Sequence, residues 1–417
     1  MDGSLMRRQL CLGGLALLLL GWAVTDQTVA IDTSVAAVSE TRVLRLDHQQ
    51  LIAIRAAWQE GQAPYANAVD TLLTEAKGLL NLPAPTVKNS DPGITKAHPN
   101  DYVSLAPYWW PDPAKLDGLP WIKRDGQRNP WVDSEQGAKA QWNRFARGVE
   151  ILALAHFYSG DEAYRRAAIH WFDVFLVQSD TRMNPHLNYA QSVPGVAAGR
   201  PYGIIDTVYL PQVIDAYRLL APAMAPAQRH AVQAWFGEFY QWLTESPLGV
   251  EEQQAHNNHG TFYDLQVLAL ALQLARNEEA LKILARAGQR LATQVEANGA
   301  QPHELARTKP FHYSAYNLRA FDGIASLARH LDQHWWQDKA RLIAALHYLQ
   351  AGSDKAHWGG SEEPSLERTL LTSPWLSAAV AGADLSPIAV MTEACFARQY
   401  LADLASSIAT AVGRCDY

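Results

Sequence analysis

The chain has 417 residues, 48% of them hydrophobic and 18% charged, which is ample material for one large core or two ordinary ones. Its formal net charge is -7 and it contains no long Lys/Arg run, so nothing in the composition provides for nucleic-acid binding by bulk charge. A polyanionic ligand would have to be met by a local basic cleft. The 14 Trp and 16 Tyr are unusually many, and such rings either fill helical cores or stack on ligand faces.

The first segment reads as an export signal. Arg7 and Arg8 precede an apolar run from Leu10 to Val24, and Thr28-Val29-Ala30 resembles a small-residue cleavage site. The run is short for a membrane span, which takes about 20 residues. The expectation is a signal peptide over 1–30 and a single domain over 31–417. The protein would be periplasmic or secreted, with no stable membrane anchor after cleavage. Loss of Cys11 leaves Cys395 and Cys415, which an exported protein can join. The sequence leaves that pairing open, and it leaves the oligomeric state open too.

Beyond the signal, helical periodicity dominates. Leu51 to Gln59 and Tyr65 to Leu80 form a first pair. Ser134 to Tyr158 carries Phe145, Val149, Leu152 and Leu154 at helical spacing, and Gly160-Asp161 supplies a stop and a cap before Asp161 to Val177. Further helices are expected over Ile205 to Leu220, Ala227 to Thr244, Thr261 to Arg276, Asn277 to Val295, Ser314 to Leu331, His334 to Gln350, Ser365 to Ser373 and Pro387 to Val412. No alternating strand run is longer than a few residues. Serial hairpins of this kind predict an all-α fold, an α/α toroid (an incomplete α/α barrel) or a solenoid.

Three connections are long: Pro83 to Asp133, Ser179 to Ile204 and Glu296 to Tyr313. Long loops in a compact domain are usually functional or disordered, and these are rich in Tyr, Trp, Asn, Arg and His. If alternate helix ends share one face, the loops meet over a central cleft. Four segments stand out: Ala106 to Pro130, Met183 to Asp206, the stretch HNNHG from His256, and Gln301 to Leu318.

Asn257-Asn258-His259-Gly260 followed by Tyr263-Asp264 resembles the NNHGxxYD signature of the alginate lyase superfamily. Glu304 to Lys309 followed by Tyr313-Ser314 resembles its second signature. Tyr108-Trp109-Trp110-Pro111-Asp112 with Arg124-Asp125-Gly126 is similar to its N-terminal block. Asn188-Tyr189-Ala190-Gln191 with Gly203-Ile204-Ile205-Asp206 is similar to its middle block. The four blocks occur in order between Tyr102 and Leu318. They are closer to polysaccharide lyase family 38 than to family 5, which spaces its Arg and Tyr by seven where Arg307 and Tyr313 stand six apart. The resemblance implies an α/α toroid, no essential metal or other cofactor, and β-elimination on an anionic uronic-acid polysaccharide.

Elimination from a 4-linked uronate removes a weakly acidic C5 proton and expels O4. The neighbouring carboxylate must first be neutralised, and an amide, an imidazole and a guanidinium are suitable donors. Asn258, His259 and Arg307 supply those types, helped by the positive end of a helix. A base for C5–H and an acid for O4 complete the set. Tyr313 serves both roles in a syn elimination. In an anti elimination His259 is the base and Tyr313 the acid. The expected catalytic residues are therefore Tyr313, His259, Arg307 and Asn258. Asn188, Tyr189, Gln191, Trp109, Trp110, Arg124, Asn257 and His312 are expected to contact substrate.

Each residue also has a structural explanation. Asn257 or Asn258 can cap the helix at Thr261. Arg307 can pair with Glu304. Trp109 and Trp110 can be core, and Asn188, Tyr189 and Gln191 can stitch their loop together. His256 reads as a surface residue, and Arg200 departs from its context, being followed by Pro201-Tyr202 where a small residue is expected near the glycine. No HExxH pattern or cysteine cluster supports zinc. Two other functions remain: an inverting glycoside hydrolase using Asp206, Asp264 or Glu304, and a non-catalytic uronate-binding protein.

Overall fold

Helix follows helix through the described residues of the computed structural model, which are 42–351 apart from 63, 64, 89, 92, 94 and 332–338. The expected signal segment, the expected helices over 365–373 and 387–412, and residues Glu362, Glu363, Cys395 and Cys415 lie outside the described residues. The chain opens with α1 (His48–Gln59) and α2 (Tyr65–Leu79). Then come three short strands, β1 (Val103–Leu105), β2 (Trp109–Trp110) and β3 (Ile122–Lys123). Next are α3 (Ala138–Ser159) and α4 (Glu162–Phe172), then β4 (Tyr189–Ser192). After them run α5 (Leu210–Leu220), α6 (Pro226–Glu245), α7 (Pro247–Gln253), α8 (Asn258–Gln273) and α9 (Asn277–Gln294). Finally come α10 (Pro302–Leu305), α11 (Pro310–Ala328) and α12 (Lys339–Ala351).

Local chemistry sets the joints. Gly160 takes φ 73° after α3, a left-handed stop that lacks a Cβ penalty. Asp161 then caps α4 by accepting from the Ala163 N–H at 2.8 Å. Proline occupies the first helical turn at Pro226, Pro247, Pro302 and Pro310, where its missing N–H costs nothing. Ser246 ends α6 and caps α7 through Oγ, which accepts from Gly249 N at 3.0 Å. Gly148 lets α3 approach α4 closely, since a Cβ there would meet Trp171 at 2.1 Å.

The core follows from which helices are apolar on one side and which all round. α9 buries Ala280, Ile283, Leu284, Ala287 and Leu291 at helical spacing and leaves its other face wet. α8 buries fourteen of its sixteen residues, as a helix wrapped by others must. It packs on α9, α11 and α5, while α3 packs on α4, α5 and α2. The architecture is an all-α toroid of helical hairpins. No helix among the described residues is long and apolar enough to cross a membrane.

The structure adjusts several expected boundaries. The helix expected from Ser134 starts at Ala138, after a 3-10 turn over Pro130–Asp133. The one expected from Ile205 starts at Leu210, after a 3-10 stretch over Pro201–Thr207. The last turns of the expected 161–177 helix widen to a π turn over Asp173–Val177. Strands of two to four residues are too short for alternation to register, yet they organise the long loops. β1 pairs parallel with β4, and β2 pairs antiparallel with β3.

Candidate active site

The HNNHG stretch lies at the start of α8, as its composition suggests. Asn257 is the N-cap, with Oδ1 accepting from His259 N at 3.2 Å. Gly260 is required by close approach. A Cβ there would meet Ala255 O at 2.2 Å and the Arg290 guanidinium at 2.3 Å. Arg290 donates to the Ala255 and Gln253 carbonyls and, at 2.6 Å, to Asp264. Arg286 donates to the same carboxylate at 2.7 Å. Tyr263 donates to the Leu243 carbonyl at 2.9 Å. Gly260, Tyr263 and Asp264 thus lock α6 and α7 onto α8, leaving Asn258 and His259 as the pair held at the helix mouth.

Two buried carboxylates set those side chains. Glu252, on α7 and 1% exposed, lies with Oε1 2.7 Å from His259 Nδ1. When Nδ1 carries the hydrogen of that bond, Nε2 is left as the ring's acceptor. Glu304, also 1% exposed, accepts from Asn258 N at 2.6 Å and Asn258 Nδ2 at 2.7 Å. Burial pushes the Glu304 carboxyl up, opposed by the two Asn258 hydrogen bonds and by the charges of Arg307 and His259. Asn258 therefore has one amide hydrogen left to give.

A second group is built on Tyr313, in the first turn of α11. Tyr313 Oη lies 2.9 Å from Tyr108 Oη and accepts from Arg307 Nη2 at 3.1 Å. The Arg307 guanidinium also covers the Tyr313 ring, 4.0 Å from its centroid. Burial, then the hydrogen bond with Tyr108, raise the phenol well above the ordinary tyrosine range, and Arg307 offsets only part of this. The resting hydroxyl is protonated. A buried amide network seats α11 on α8. Asn317 Nδ2 donates to Gln294 Oε1 at 3.0 Å and to Gln301 Oε1 at 2.9 Å, while Thr261 donates to Gln294 at 3.0 Å.

The long loops close round these groups. Tyr108 precedes the β2–β3 hairpin, and in the loop that follows β3 a Cβ on Gly126, at φ 74°, would stand 3.2 Å from Thr308. Arg124 lies over Trp110 at 5.5 Å, and Trp110 donates to the Gln127 carbonyl. Trp109 faces Arg200 at 5.9 Å, Arg200 covers Tyr202 at 5.1 Å, and Tyr202 meets the His259 ring edge-on at 5.0 Å. His312 packs beside Tyr313 and Tyr316.

The middle block is more structural. Gln191 is buried at φ 48°. Its amide donates to Asp206 at 3.3 Å and its Oε1 accepts from Arg200 at 2.8 Å. Asn188 is exposed and its Oδ1 accepts from Trp242 Nε1 at 2.9 Å. Tyr189 is half-buried with its ring near His186. His256 is exposed and stacks with His303.

Four contacts escaped the sequence reading. Glu252 lies on a short helix with no periodicity, seven residues before His259 and on the other side of a joint. Tyr108 was visible only as part of a block, and Arg200 and Tyr202 only as a departure in context. Among the described residues, no three His, Cys, Asp or Glu side chains are grouped to hold a metal ion.

Comparison with known proteins agrees with this geometry. The family model described as "Alginate lyase" matches residues 86–358. A solved alginate lyase from Bacteroides ovatus is 32% identical, with 86% of this chain and 96% of that one covered and a TM-score of 0.76. Alginate lyase A1-III complexed with a tetrasaccharide shares the fold at 16% identity, with 80% and 86% covered and a TM-score of 0.50. A search of curated proteins gives no match. With one family model spanning most of the chain and a relative this similar over nearly all of its own length, the chain belongs to the alginate lyase family and is a polysaccharide lyase.

Proposed function

We propose that the protein cleaves a 1,4-linked uronic-acid polymer, alginate or glucuronan, by metal-independent β-elimination that leaves a 4,5-unsaturated uronate end. The observation that carries this reading is the presence of two polarised groups, whose His259 and Arg307 both lie within electrostatic reach of Glu304. One is His259, held by Glu252 through Nδ1. The other is Tyr313, bonded to Arg307 and Tyr108. The name of the Bacteroides relative, an alginate lyase, supports alginate as the first polymer to test.

In this scheme the substrate carboxylate sits at the mouth of α8. The free amide hydrogen of Asn258, the Arg307 guanidinium and the helix N-terminus share its growing charge. His259 Nε2 takes the C5 proton. Tyr313, protonated at rest, gives its proton to O4 as the C4–O4 bond breaks. Because base and acid are separate side chains, the reaction is not tied to a single group on one face of the sugar. Trp109, Trp110, Arg124 and His312 line the approach.

The carboxylates a hydrolase would need are otherwise engaged. Asp264 is bound by Arg286 and Arg290. Asp206 accepts from Ser104, Tyr102 and Gln191, and Glu304 is held by Asn258. Export to the periplasm or beyond is part of the same proposal and rests on the N-terminal run of the sequence.

The test is ultraviolet absorbance during incubation with polymannuronate, polyguluronate and glucuronan separately. Absorbance rises on at least one as the conjugated double bond forms, and the responding polymer names the substrate. Tyr313→Phe loses turnover by about 10²-fold or more while retaining binding, and exhaustive chelation leaves the rate unchanged. Reducing ends appearing without absorbance would transfer the protein to the hydrolases.

A further inference from the structure

Arg200 is a cation without a carboxylate. No Asp or Glu oxygen among the described residues lies within ion-pairing distance of it, unlike Arg286 and Arg290 on Asp264. Its Nε and Nη2 are both committed to Gln191, to the main-chain carbonyl at 3.1 Å and to Oε1 at 2.8 Å. Nη1 has no partner in the protein, and it is not among the buried unpartnered atoms. The guanidinium is therefore fixed by two bonds on one side and open on the other. Beside it are the rings of Trp109 and Tyr202, with centroids 5.9 and 5.1 Å away, and Tyr202 in turn meets the His259 ring edge-on.

The surroundings explain how the group is held. Gln191 is fixed by Asp206, and Gly199 lets the following loop lie on Asn188, where a Cβ would meet the Asn188 carbonyl at 2.1 Å. Burial pushes the Arg200 guanidinium down, while Tyr202, Asp206 and Glu252 push it back up. A fork this firmly aimed, charged and half-buried is matched by a planar anion. A uronic-acid polymer carries one such anion on every sugar. When one carboxylate occupies the mouth of α8, its neighbours along the chain present others.

We propose that Arg200 binds the carboxylate of a sugar adjacent to the one cleaved, with Trp109 and Tyr202 supporting its guanidinium, so that it selects polymers charged at consecutive residues. This rests on the lyase reading. Arg200 is a substrate-binding residue and not part of the proton transfers. It sets affinity for the chain and leaves the bond-breaking step to His259 and Tyr313.

The experiment measures kcat and KM of the wild-type protein, Arg200→Gln and Arg200→Lys on the responding uronate polymer, at low and high ionic strength, with thermal unfolding alongside. Arg200→Gln raises KM by about 10- to 100-fold, the scale of a hydrogen bond to a charged group, and leaves kcat within about threefold. It also flattens the salt dependence of kcat/KM, whereas Arg200→Lys keeps much of it. An unchanged KM, a fall confined to kcat, or a salt dependence equal to that of the wild type overturns the proposal. A purely structural role, acting through Gln191, would lower the unfolding temperature and change both variants equally at every salt concentration. If Arg200→Gln does not fold, Arg200→Lys decides: the loss of the fork alone raises KM, and an unchanged KM overturns the idea. A wild-type protein that releases no unsaturated product from any uronate polymer would instead defeat the lyase reading, before any variant is compared.

Discussion

Glu252 Oε1 stands 2.7 Å from Nδ1 of His259, and the carboxylate is sealed from solvent. A buried acceptor at one ring nitrogen decides which tautomer the imidazole keeps and which way it faces. Glu252→Gln removes that decision, because an amide can donate or accept at the same place. The expected result is a fall in kcat of about 10²-fold or more, with KM changed by no more than a few-fold. Steady-state kinetics on the responding polymer check it, with thermal unfolding as a control for the fold. A variant with wild-type kcat would remove His259 from the proton transfer.

The Tyr108–Tyr313 contact sets a pH dependence. An acid acts only while protonated, so activity falls as pH rises through the Tyr313 pKa. Burial and Tyr108 hold that pKa well above the ordinary range, with Arg307 opposing them. Wild-type activity should therefore lack an alkaline limb from this group across the usual working range. Tyr108→Phe removes one of the raising contributions, so its kcat/KM profile gains an alkaline limb at lower pH than the wild type. Were Tyr313 a phenolate base, the sign would reverse and the variant would gain activity on the alkaline side.

What the sequence made legible divides by physical range. α9 and α3 were readable because burial at three- and four-residue spacing is a local property. The cap at Asn257 and the stop at Gly160 were readable for the same reason. Asn258, His259, Arg307 and Tyr313 came through their ordered resemblance to a family, and the fold gathers them around Glu304 and Tyr108. The partners of these side chains were not legible. Tyr108 reaches Tyr313 across 205 residues of sequence, and Asn258 reaches Glu304 across 46. Adjacent Glu251 and Glu252 look like a solvated acidic pair until α7 turns one of them inward. Asp264, an apparent member of the chemical signature, is occupied with two arginines, which is visible only once α9 is laid against α8. Gln191 shows the same limit: its side chain is divided between Asp206 and Arg200, a contact that depends on a left-handed backbone no periodicity predicts.

The last prediction concerns stability away from the site. Glu75, on α2, has a buried Oε2 without a hydrogen-bond partner, and burial raises its carboxyl from 4.5 to about 7. Well below 4.5 the group is protonated in both folded and unfolded chains and contributes no pH dependence. Between 4.5 and about 7 the unfolded chain gives up its proton while the folded one keeps it, so stability falls as pH rises through that window. Glutamine has no such proton to lose. Glu75→Gln should therefore match the wild type near pH ~4 and exceed it near pH ~8. The side chain is only partly buried, so solvent screening limits the gain to about 1 kcal/mol or less, a Tm rise of roughly 1–2 °C. Thermal unfolding followed by circular dichroism at the two pH values checks it. An equal gain at both would trace the effect to packing rather than to the buried charge.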